Sequence, residues 1–158
     1  MLSSLVANLD EGSWRRKPAS GNWSILEIVC HLRDEEREDF GARLRSVLDD
    51  PAKPWPKIDP VAVVTERKYN EQSPEIALKE FLSERKATIV WLDSLTDVNW
   101  DQAYQHPTVG PVPAGLLLAS WAAHDLLHLR QITKRLFESI ESVSLPYPID
   151  YAGSWQES

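Results

Sequence analysis

The sequence predicts an all-α protein, a four-helix bundle with a short first helix and long connections. Apolar residues recur at helical spacing in three long segments, and stretches rich in proline separate these segments. No alternating apolar and polar run is long enough to require a sheet. With 158 residues, 42% of them hydrophobic, and seven tryptophans, residues 1–158 are predicted to form a single domain with a continuous core.

The first half of the chain contains two predicted helices. The opening segment LSSLVANLD is predicted to form the short first helix. A clearer start is Ser24, followed three residues later by Glu27, which is the arrangement of a capping box. From there apolar residues recur until DDPAKPWP stops them, so we predict one long helix from Ser24 to Leu48. Its charged run RDEERED is most simply a solvated helix face, although Glu36 lies near the apolar stripe, where it could pair with a cation across the bundle.

Two further helix starts follow, and both combine a capping side chain with a proline. Asp59 and Pro60 predict a short helix that extends to about Tyr69. Ser73 and Pro74 repeat the signal and begin a second long helix, which should end near SLTDVNW.

The last predicted helix runs from Pro113 to Ile140. Apolar residues cover most of its circumference as far as Leu129, which is typical of a central, deeply buried helix. The preceding HPTVGPVP is too rich in proline and glycine for anything but an ordered loop. The domain core is therefore predicted at about 14–140, with an irregular tail at 141–158. The aromatic residues of this tail are expected to lie against the body of the protein or against the neighbouring subunit of a homodimer.

Charge and composition exclude two classes of partner. The formal net charge of −7 would repel a phosphate backbone, so nucleic acid is not an expected partner. No segment approaches the ~20 apolar residues of a membrane span, and the start lacks the pattern of a secretion signal. The single cysteine, Cys30, is consistent with a reducing compartment. These features predict a cytoplasmic protein that binds neither nucleic acid nor membranes.

Three of the four histidines indicate a metal site. His124 and His128 are four residues apart on one predicted helix, so they project from the same face, and two imidazoles so placed can hold one ion. His31, on the flank of the apolar stripe of its own helix, is the best candidate for a third ligand. Glu27 and Glu35 lie one turn before and after it, where a carboxylate could accept the second N–H of the imidazole. Spacing alone leaves open that all three are ordinary helix residues.

The face that carries the histidine pair continues in both directions. Trp121 lies upstream on an apolar floor, and Gln131 and Arg135 lie downstream, where they could orient a polar or anionic substrate. Arg135 with Glu138 could equally be a surface ion pair. The fourth histidine, His106, stands beside a proline in a loop and is predicted to have a structural or solvated role.

Three segments together resemble a known family. NWSILEIVCHLRDEE is similar to the signature of the DinB-like family of metal-binding four-helix bundles, in which Trp-Ser opens the second helix and a His-Leu pair precedes acidic residues. HPTVGPVP resembles that family's loop before the last helix, and HDLLHLRQI resembles its final His-Asp-x-x-His-x-x-Gln segment. The resemblance covers about Trp14 to Ile140, with the segments in the family's order.

The resemblance implies His31, His124 and His128 as ligands of one divalent ion, with water in the remaining positions, which is typical of a catalytic metal. Nickel or zinc is the metal that the family most often contains, although three imidazoles suit copper and iron as well. Family members include thiol-dependent S-transferases, thiol-using isomerases and proteins described as metal-dependent hydrolases. The chain departs from the family in its short start and in Pro113, which stands where a Ser or Thr helix cap is common.

The leading functional hypothesis is a metal-dependent enzyme that activates a low-molecular-weight thiol for S-transfer to a small-molecule electrophile. The first alternative is a hydrolase that uses metal-bound water, with Glu27 or Glu35 as proton acceptor. The second alternative is a noncatalytic binding or stress-response module, in which the ion only braces the helices.

Overall fold

The computed structural model describes residues 2–155, and most of them are helical, which confirms the predicted all-α class. The α-helices in this part of the chain are α1 (Leu2–Val6), α2 (Glu11–Arg15), α3 (Ile25–Arg37), α4 (Phe40–Asp49), α5 (Ala62–Glu66), α6 (Pro74–Asp93) and α7 (Ala114–Val143). A hairpin of β1 (Ala103–His106) and β2 (Gly110–Pro113) connects α6 to α7. Short 3-10 helices lie at Tyr69–Glu71 and Asp150–Ala152.

The two strongest helix starts are confirmed. The Ser24 hydroxyl accepts a hydrogen bond from the Glu27 backbone N–H at 3.1 Å, and the Glu27 carboxylate accepts one from the Ser24 backbone N–H at 2.9 Å. Ser73 caps α6 and Pro74 occupies its first turn. These contacts join residues three positions apart, which is why the sequence alone could predict them.

The predicted single helix from Ser24 to Leu48 is wrong, because the chain breaks its helical conformation at Glu38 and Asp39. The break allows a close approach of α4 to its neighbours. A Cβ atom at Gly41 would lie 2.0 Å from the Glu36 carbonyl oxygen and 3.1 Å from the Trp121 ring. Glycine is therefore required at position 41 by packing, since no larger residue leaves room for these contacts.

The central helix is α3, and the prediction that α7 has this place is wrong. Every residue from Ile25 to Glu36 is buried, because α3 lies between α6, α7 and the 3-10 helix at Tyr69–Glu71. By contrast, α7 exposes Leu116, Leu126 and Leu127 by 52%, 65% and 57%. One side of α7 is thus exposed even though it carries apolar residues.

The predicted solvated face of RDEERED is also wrong for its first half. Asp34 is buried and accepts hydrogen bonds from the Arg33 Nε at 2.7 Å, the Arg67 Nη1 at 2.5 Å and the Tyr69 hydroxyl at 2.5 Å. Burial opposes ionisation of Asp34, but these donors lower the pKa of its carboxyl below the ordinary value. Asp34 is therefore paired inside the bundle, with Arg33 beside it and with Arg67 and Tyr69 more than 30 positions away.

The first helix of the bundle is short, as predicted. Leu2 and Val6 of α1 and Trp14 of α2 are buried in one apolar cluster with α3. Leu129 and Leu136 of α7 pack against the same cluster. Two short helices thus cover the side of the bundle where the sequence offers no long first helix.

The expected loop at HPTVGPVP contains part of a hairpin, which corrects the expectation of no sheet. The strands pair antiparallel from Ala103 opposite Pro113 to His106 opposite Gly110. Each strand has four residues, too few for a visible alternation, and prolines are tolerated because both strands of a two-stranded sheet are edges. The hairpin also begins α7: the Ala114 N–H donates to the Gln102 carbonyl at 2.9 Å, which compensates for the absent side-chain cap at Pro113.

The short helix after Asp59 and the C-terminal tail remain to be compared with their predictions. The Asp59 carboxylate accepts hydrogen bonds from the backbone N–H groups of residues 61 and 62, but α5 begins only at Ala62, so Pro60 lies before its first turn and not in it as predicted. The helix ends at Glu66, and the backbone is left-handed at Lys68. In the tail, the Trp155 ring lies 5.6 Å from that of Phe137 and so packs on the body of the protein, as expected, whereas Tyr147 and Tyr151 are exposed. Within residues 2–155 no helix combines the length and apolar character that crossing a bilayer requires.

Candidate metal centre

The three predicted ligand histidines come together in the middle of the bundle. His31 extends from α3, and His124 and His128 extend from adjacent turns of α7. The Nε2 atom of His124 lies 3.3 Å from Nε2 of His31 and 3.0 Å from Nε2 of His128. One ligand atom from each residue lies within 4.8 Å of the other two. Residues 93 positions apart in the sequence thus form one cluster of ring nitrogens.

The cluster is buried, and burial keeps the rings neutral. His31 and His128 are 4% and 6% exposed, and His124 is half-buried. Burial, with the neighbouring His128 and His124 rings, lowers the pKa of His31 to about 3. Burial and His124 likewise lower the pKa of His128 to about 4, and burial lowers that of His124. At neutral pH all three are uncharged imidazoles, the form that binds a metal.

Two of the three rings have a partner at their second nitrogen. Nδ1 of His128 donates to the Gln131 amide oxygen at 2.9 Å, and Nδ1 of His31 lies 3.5 Å from a Glu35 carboxylate oxygen. Among residues 2–155 the buried Nδ1 of His124 has no hydrogen-bond partner. An acceptor at Nδ1 fixes the proton there, so Nε2 of His31 and of His128 is left with its lone pair.

This arrangement fits a divalent cation. A single proton on Nε2 of His124 can serve only one of the two facing lone pairs, so the other is left without a donor, whereas a cation among the three atoms would satisfy both. Two imidazole nitrogens bound to one zinc ion at about 2.0–2.1 Å in tetrahedral geometry lie about 3.3 Å apart. The separations of 3.0 and 3.3 Å in the cluster are close to that value. Neutral charge, burial and spacing all suit the ligand set that the sequence predicts.

The two glutamates predicted beside His31 have different surroundings. Glu35 is buried next to the His31 ring, and burial followed by the nearby Asp39 carboxylate raises the pKa of Glu35 to about 8. Glu27 uses one carboxylate oxygen for the Ser24 backbone N–H and the other for Lys17, 2.7 Å away. Only Glu35 therefore has a contact with a histidine of the cluster, whereas Glu27 holds the start of α3.

Aromatic side chains cover the cluster, and the sequence did not single out two of them. The Trp23 ring lies 4.9 Å from that of His31 and stacks on His128 at 6.2 Å. Phe40 packs on His124 at 5.1 Å. Trp121, which was predicted near the pair, stacks instead on Phe40 at 6.1 Å, and Phe40 in turn contacts His124. Trp23 was detectable from its place directly before the Ser24 cap, where an apolar residue packs back onto the first turns of the helix.

A charged bridge fixes the helices beside the cluster. Arg85 of α6 donates to the Glu36 carboxylate of α3 at 2.5 Å and to the Asp125 carboxylate of α7 at 2.5 and 3.0 Å. Asp125 is the residue after His124, so this bridge sets the position of α7 relative to α3. Because His31 is on α3 and the other two histidines are on α7, the bridge also sets the spacing of the cluster.

The polar residues predicted beyond the histidine pair on α7, Gln131 and Arg135, lie on the same side of the helix as His128. Gln131 holds His128, and Arg135, one turn further on, is 8% exposed and donates to the Glu138 carboxylate at 2.5 Å. The pair of Arg135 and Glu138 is therefore partly inside the protein and is no ordinary surface ion pair. Gln131 and Arg135 both line a cavity of about 600 Å³, and Trp23 forms another part of its wall.

The remaining histidine and the cysteine lie outside the cluster. Nδ1 of His106 accepts hydrogen bonds from the backbone N–H groups of Thr108 and Val109, which stabilise the hairpin turn, as its predicted structural role requires. Cys30 is fully buried, and burial raises the pKa of its thiol to about 12. It is an inert apolar side chain, consistent with its place on the far side of α3.

Comparison with known proteins agrees with the fold. Residues 1–132 match the model of the DinB superfamily. Among solved structures, YfiT from Bacillus subtilis, described as "a probable metal-dependent hydrolase with an unusual four-helix bundle topology", is similar, with a TM-score of 0.69 and 19% sequence identity over 85% of this chain and 79% of that one. No curated protein sequence matches the chain. The match to the family model covers most of the sequence, and the chain therefore belongs to the DinB superfamily.

Proposed function

We propose that His31, His124 and His128 hold one divalent ion, nickel or zinc, in an enzyme that transfers a low-molecular-weight thiol to a small-molecule electrophile. The observation that carries the proposal is the convergence of three neutral Nε2 atoms at 3.0 and 3.3 Å in a buried cluster. A divalent ion bound there acts as a Lewis acid and lowers the pKa of a thiol or a water molecule. With three protein ligands, such a site keeps a position for a reactant.

The residues around the cluster would supply orientation and exclude water. Gln131 and Glu35 fix the proton of His128 and His31 at Nδ1, so that both rings present Nε2 to the centre. Trp23 and Phe40 cover the rings with apolar surface, which strengthens electrostatic interactions inside the site.

The proposed reaction is a substitution at an electrophilic carbon. The sulfur of the thiol forms a bond to that carbon, and the leaving group departs with the electron pair of its broken bond. The thiol proton passes to solvent, and no oxidant or reductant is consumed. Cys30 is excluded as the source of sulfur because it is buried and its pKa is raised to about 12.

A hydrolase is the second candidate, and the description of YfiT favours it. In this reaction a water molecule replaces the thiol, and a nearby carboxylate accepts its proton. Of the two glutamates, both carboxylate oxygens of Glu27 are already engaged, and Glu35 lies on the Nδ1 side of His31, so it could accept this proton only through solvent and only when it is ionised, above its pKa of about 8.

The experiment that tests the proposal measures product from an alkyl halide electrophile, with nickel- or zinc-loaded protein and with or without an added thiol. Strict dependence on the thiol, with a thioether as product, supports S-transfer. Turnover of an ester without any thiol supports the hydrolase. The control is His124→Ala, which should abolish either activity, while His106→Ala should leave it unchanged because His106 lies in the hairpin turn. Absence of both activities in the metal-loaded protein would leave the noncatalytic alternative.

A further inference from the structure

The solvent-facing side of α7 is apolar along the first half of the helix. Between positions 114 and 129, all of which the structure describes, every exposed residue is an alanine or a leucine. These residues are Leu116, Ala119, Ala122, Ala123, Leu126 and Leu127. The outer side of a surface helix normally carries polar residues, so a continuous apolar side of this kind indicates a contact with another molecule.

The described ends of the chain lie elsewhere and do not cover this surface. Leu2 and Val6 of α1 belong to the apolar cluster around α3. Trp155 of the C-terminal tail packs on Phe137, which is beyond the apolar stretch of α7. Leu126 therefore remains 65% exposed in the folded chain.

Four of the exposed residues form a seam along α7, namely Leu116, Ala119, Ala123 and Leu126. They are three, four and three positions apart, which is the spacing that aligns side chains in one line for pairing with a second helix. The two alanines in the middle allow a close approach of the helix axes, since the distance between packed helices depends on the side chains at the contact. We call these four residues the α7 seam.

The α7 seam reads the same in both directions. It has a leucine at each end and an alanine at each inner position, and its centre lies at position 121. A two-fold axis perpendicular to the helix at this position would bring Leu116 opposite Leu126 of a second copy, and Ala119 opposite Ala123. This is the self-complementary pattern that a two-fold symmetric contact between identical chains requires.

The α7 seam is also free of the charge repulsion that opposes contact between two copies of this chain. The net charge of the chain is −7, so two copies repel each other unless the contact surface is uncharged. Asp125 is the one acidic or basic residue between positions 114 and 129. Its carboxylate accepts hydrogen bonds from Arg85 of the same chain at 2.5 and 3.0 Å, so its charge is already compensated.

Opposite charges lie beyond the two ends of the α7 seam. Arg130 is exposed four positions after Leu126 and continues the same line. At the other end, the Trp100 carbonyl oxygen accepts a hydrogen bond from the Gly115 N–H at 2.9 Å, so the exposed Asp101 lies at the start of α7. An antiparallel pair of α7 helices brings the Arg130 end of each copy to the Asp101 end of the other.

We propose that the α7 seam pairs with the same seam of a second copy of this chain, antiparallel and with the two-fold axis near position 121. From Leu116 to Leu126 the seam is about 15 Å long. This is small beside a standard interface of about 800 Å² per partner, so we expect dimers in equilibrium with monomers at micromolar concentration. The pairing depends neither on a bound ion nor on the proposed enzyme activity.

The test is sedimentation velocity of the full chain from about 1 to about 500 μM, in the presence of a chelator. The unmodified chain should change from monomer to dimer as its concentration rises. Leu126→Glu should weaken association about tenfold or more, because the two-fold axis places the new carboxylate in the contact twice. Leu145→Glu is the matched control. Leu145 is 74% exposed in the tail, so this variant should associate like the unmodified chain.

Mixing two variants tests the antiparallel arrangement. Leu116→Glu and Leu126→Lys should each associate weakly with themselves. An equal mixture should form a heterodimer about tenfold more tightly than either variant alone, because position 116 of one copy meets position 126 of the other. Absence of this gain would overturn the antiparallel pairing.

A chemical cross-link gives a second readout, in which the seam itself is unchanged. Ala122→Cys, one position from the proposed axis, should form a covalent dimer with a bifunctional maleimide. Ala87→Cys, at an exposed position of α6, is the control and should remain monomeric. Cys30 is buried and does not interfere.

Three further results would overturn the proposal. These are a chain that remains monomeric throughout the concentration range, an equal loss of association in Leu126→Glu and Leu145→Glu, and no cross-linked dimer in Ala122→Cys. Melting temperatures at the lowest concentration should be the same for all variants, because the substituted side chains are exposed in the single chain.

Discussion

Nδ1 of His128 donates to the amide oxygen of Gln131 at 2.9 Å, a contact between two residues less than one helical turn apart. The contact selects the tautomer in which Nε2 faces His31 and His124. Residues that orient ligand histidines in this way typically contribute about 10- to 100-fold to metal affinity. Gln131 thus links the cavity beside the cluster to the geometry of the cluster itself.

Gln131→Leu should therefore weaken zinc binding by about 10- to 100-fold, because it removes the acceptor and retains the volume. Competition with a chromophoric chelator measures the change. The matched control is Gln105→Leu on the exposed side of β1, which should retain the affinity of the unmodified protein. If both variants bind zinc equally well, the orienting role of Gln131 is wrong.

Substitution of single histidines by alanine should show which of them bind the metal. His31→Ala and His128→Ala should each lower bound metal to well below one ion per chain, since two imidazoles rarely hold a divalent ion tightly. His106→Ala should retain the full stoichiometry, because its ring nitrogen serves the hairpin turn. Elemental analysis after dialysis gives the count, and full metal retention in His31→Ala would contradict the site.

The pH dependence of stability should have opposite contributions from the histidines and from Glu35. In the metal-free protein His31 and His128 have folded-state pKa values of about 3 and about 4 against 6.5 in the unfolded chain. Their contribution to stability is therefore present above pH 6.5 and is lost as the pH falls towards 4. Glu35 has a folded-state pKa of about 8 against 4.5 in the unfolded chain. It therefore destabilises the fold least below pH 4.5, and this destabilisation increases as the pH rises to 8.

Glu35→Gln should accordingly become more stable, relative to the unmodified protein, as the pH rises. Between about pH 5 and about pH 8 the difference in unfolding free energy should grow by about 3–4 kcal/mol, since almost this whole interval lies between the two pKa values and each unit corresponds to about 1.4 kcal/mol. Urea unfolding in the presence of a chelator measures it. Glu75→Gln, at an exposed position of α6, should show no such trend. A difference that is independent of pH would mean that Glu35 stays ionised in the folded protein.

Gly41→Ala should destabilise the fold by about 2 kcal/mol or more, because the new Cβ would meet the Glu36 carbonyl oxygen at 2.0 Å. Gly115→Ala is the matched control. Its Cβ would lie 3.4 Å from the nearest atom, the Trp100 carbonyl oxygen, and alanine favours the helix there. Thermal unfolding of the two variants measures the contrast, and equal melting temperatures would show that α4 can shift at no cost.

Local signals in the sequence predicted much of the fold and the composition of the cluster. The capping box at Ser24 and Glu27 and the spacing of His124 and His128 depend on residues within one helical turn. The match of three segments to the family pattern then added His31. Each of these features can be read without knowing which helices are neighbours.

The features that the sequence did not predict depend on distant residues. The charges of α3 looked solvated because Arg67 and Tyr69, the partners of Asp34, lie more than 30 positions away. The interruption at Glu38 and Asp39 has no proline to mark it, and the contacts that it allows, of Gly41 with Glu36 and Trp121, include one with a residue about 80 positions away. Trp155 lies in a tail without periodicity, so its place in the cavity wall could not be predicted.

The complete burial of α3 also limits how this protein can change. An amphipathic helix tolerates polar replacements on its outer side, and α6 and α7 have many such positions. From Ile25 to Glu36, however, α3 has no outer side, so truncation of one of its apolar side chains leaves a cavity, and replacement of Arg33 or Asp34 separates a buried charge from its partner. Tolerated substitutions should therefore accumulate on α6 and α7, whereas on α3 the one replacement expected to stabilise the fold is that of Glu35.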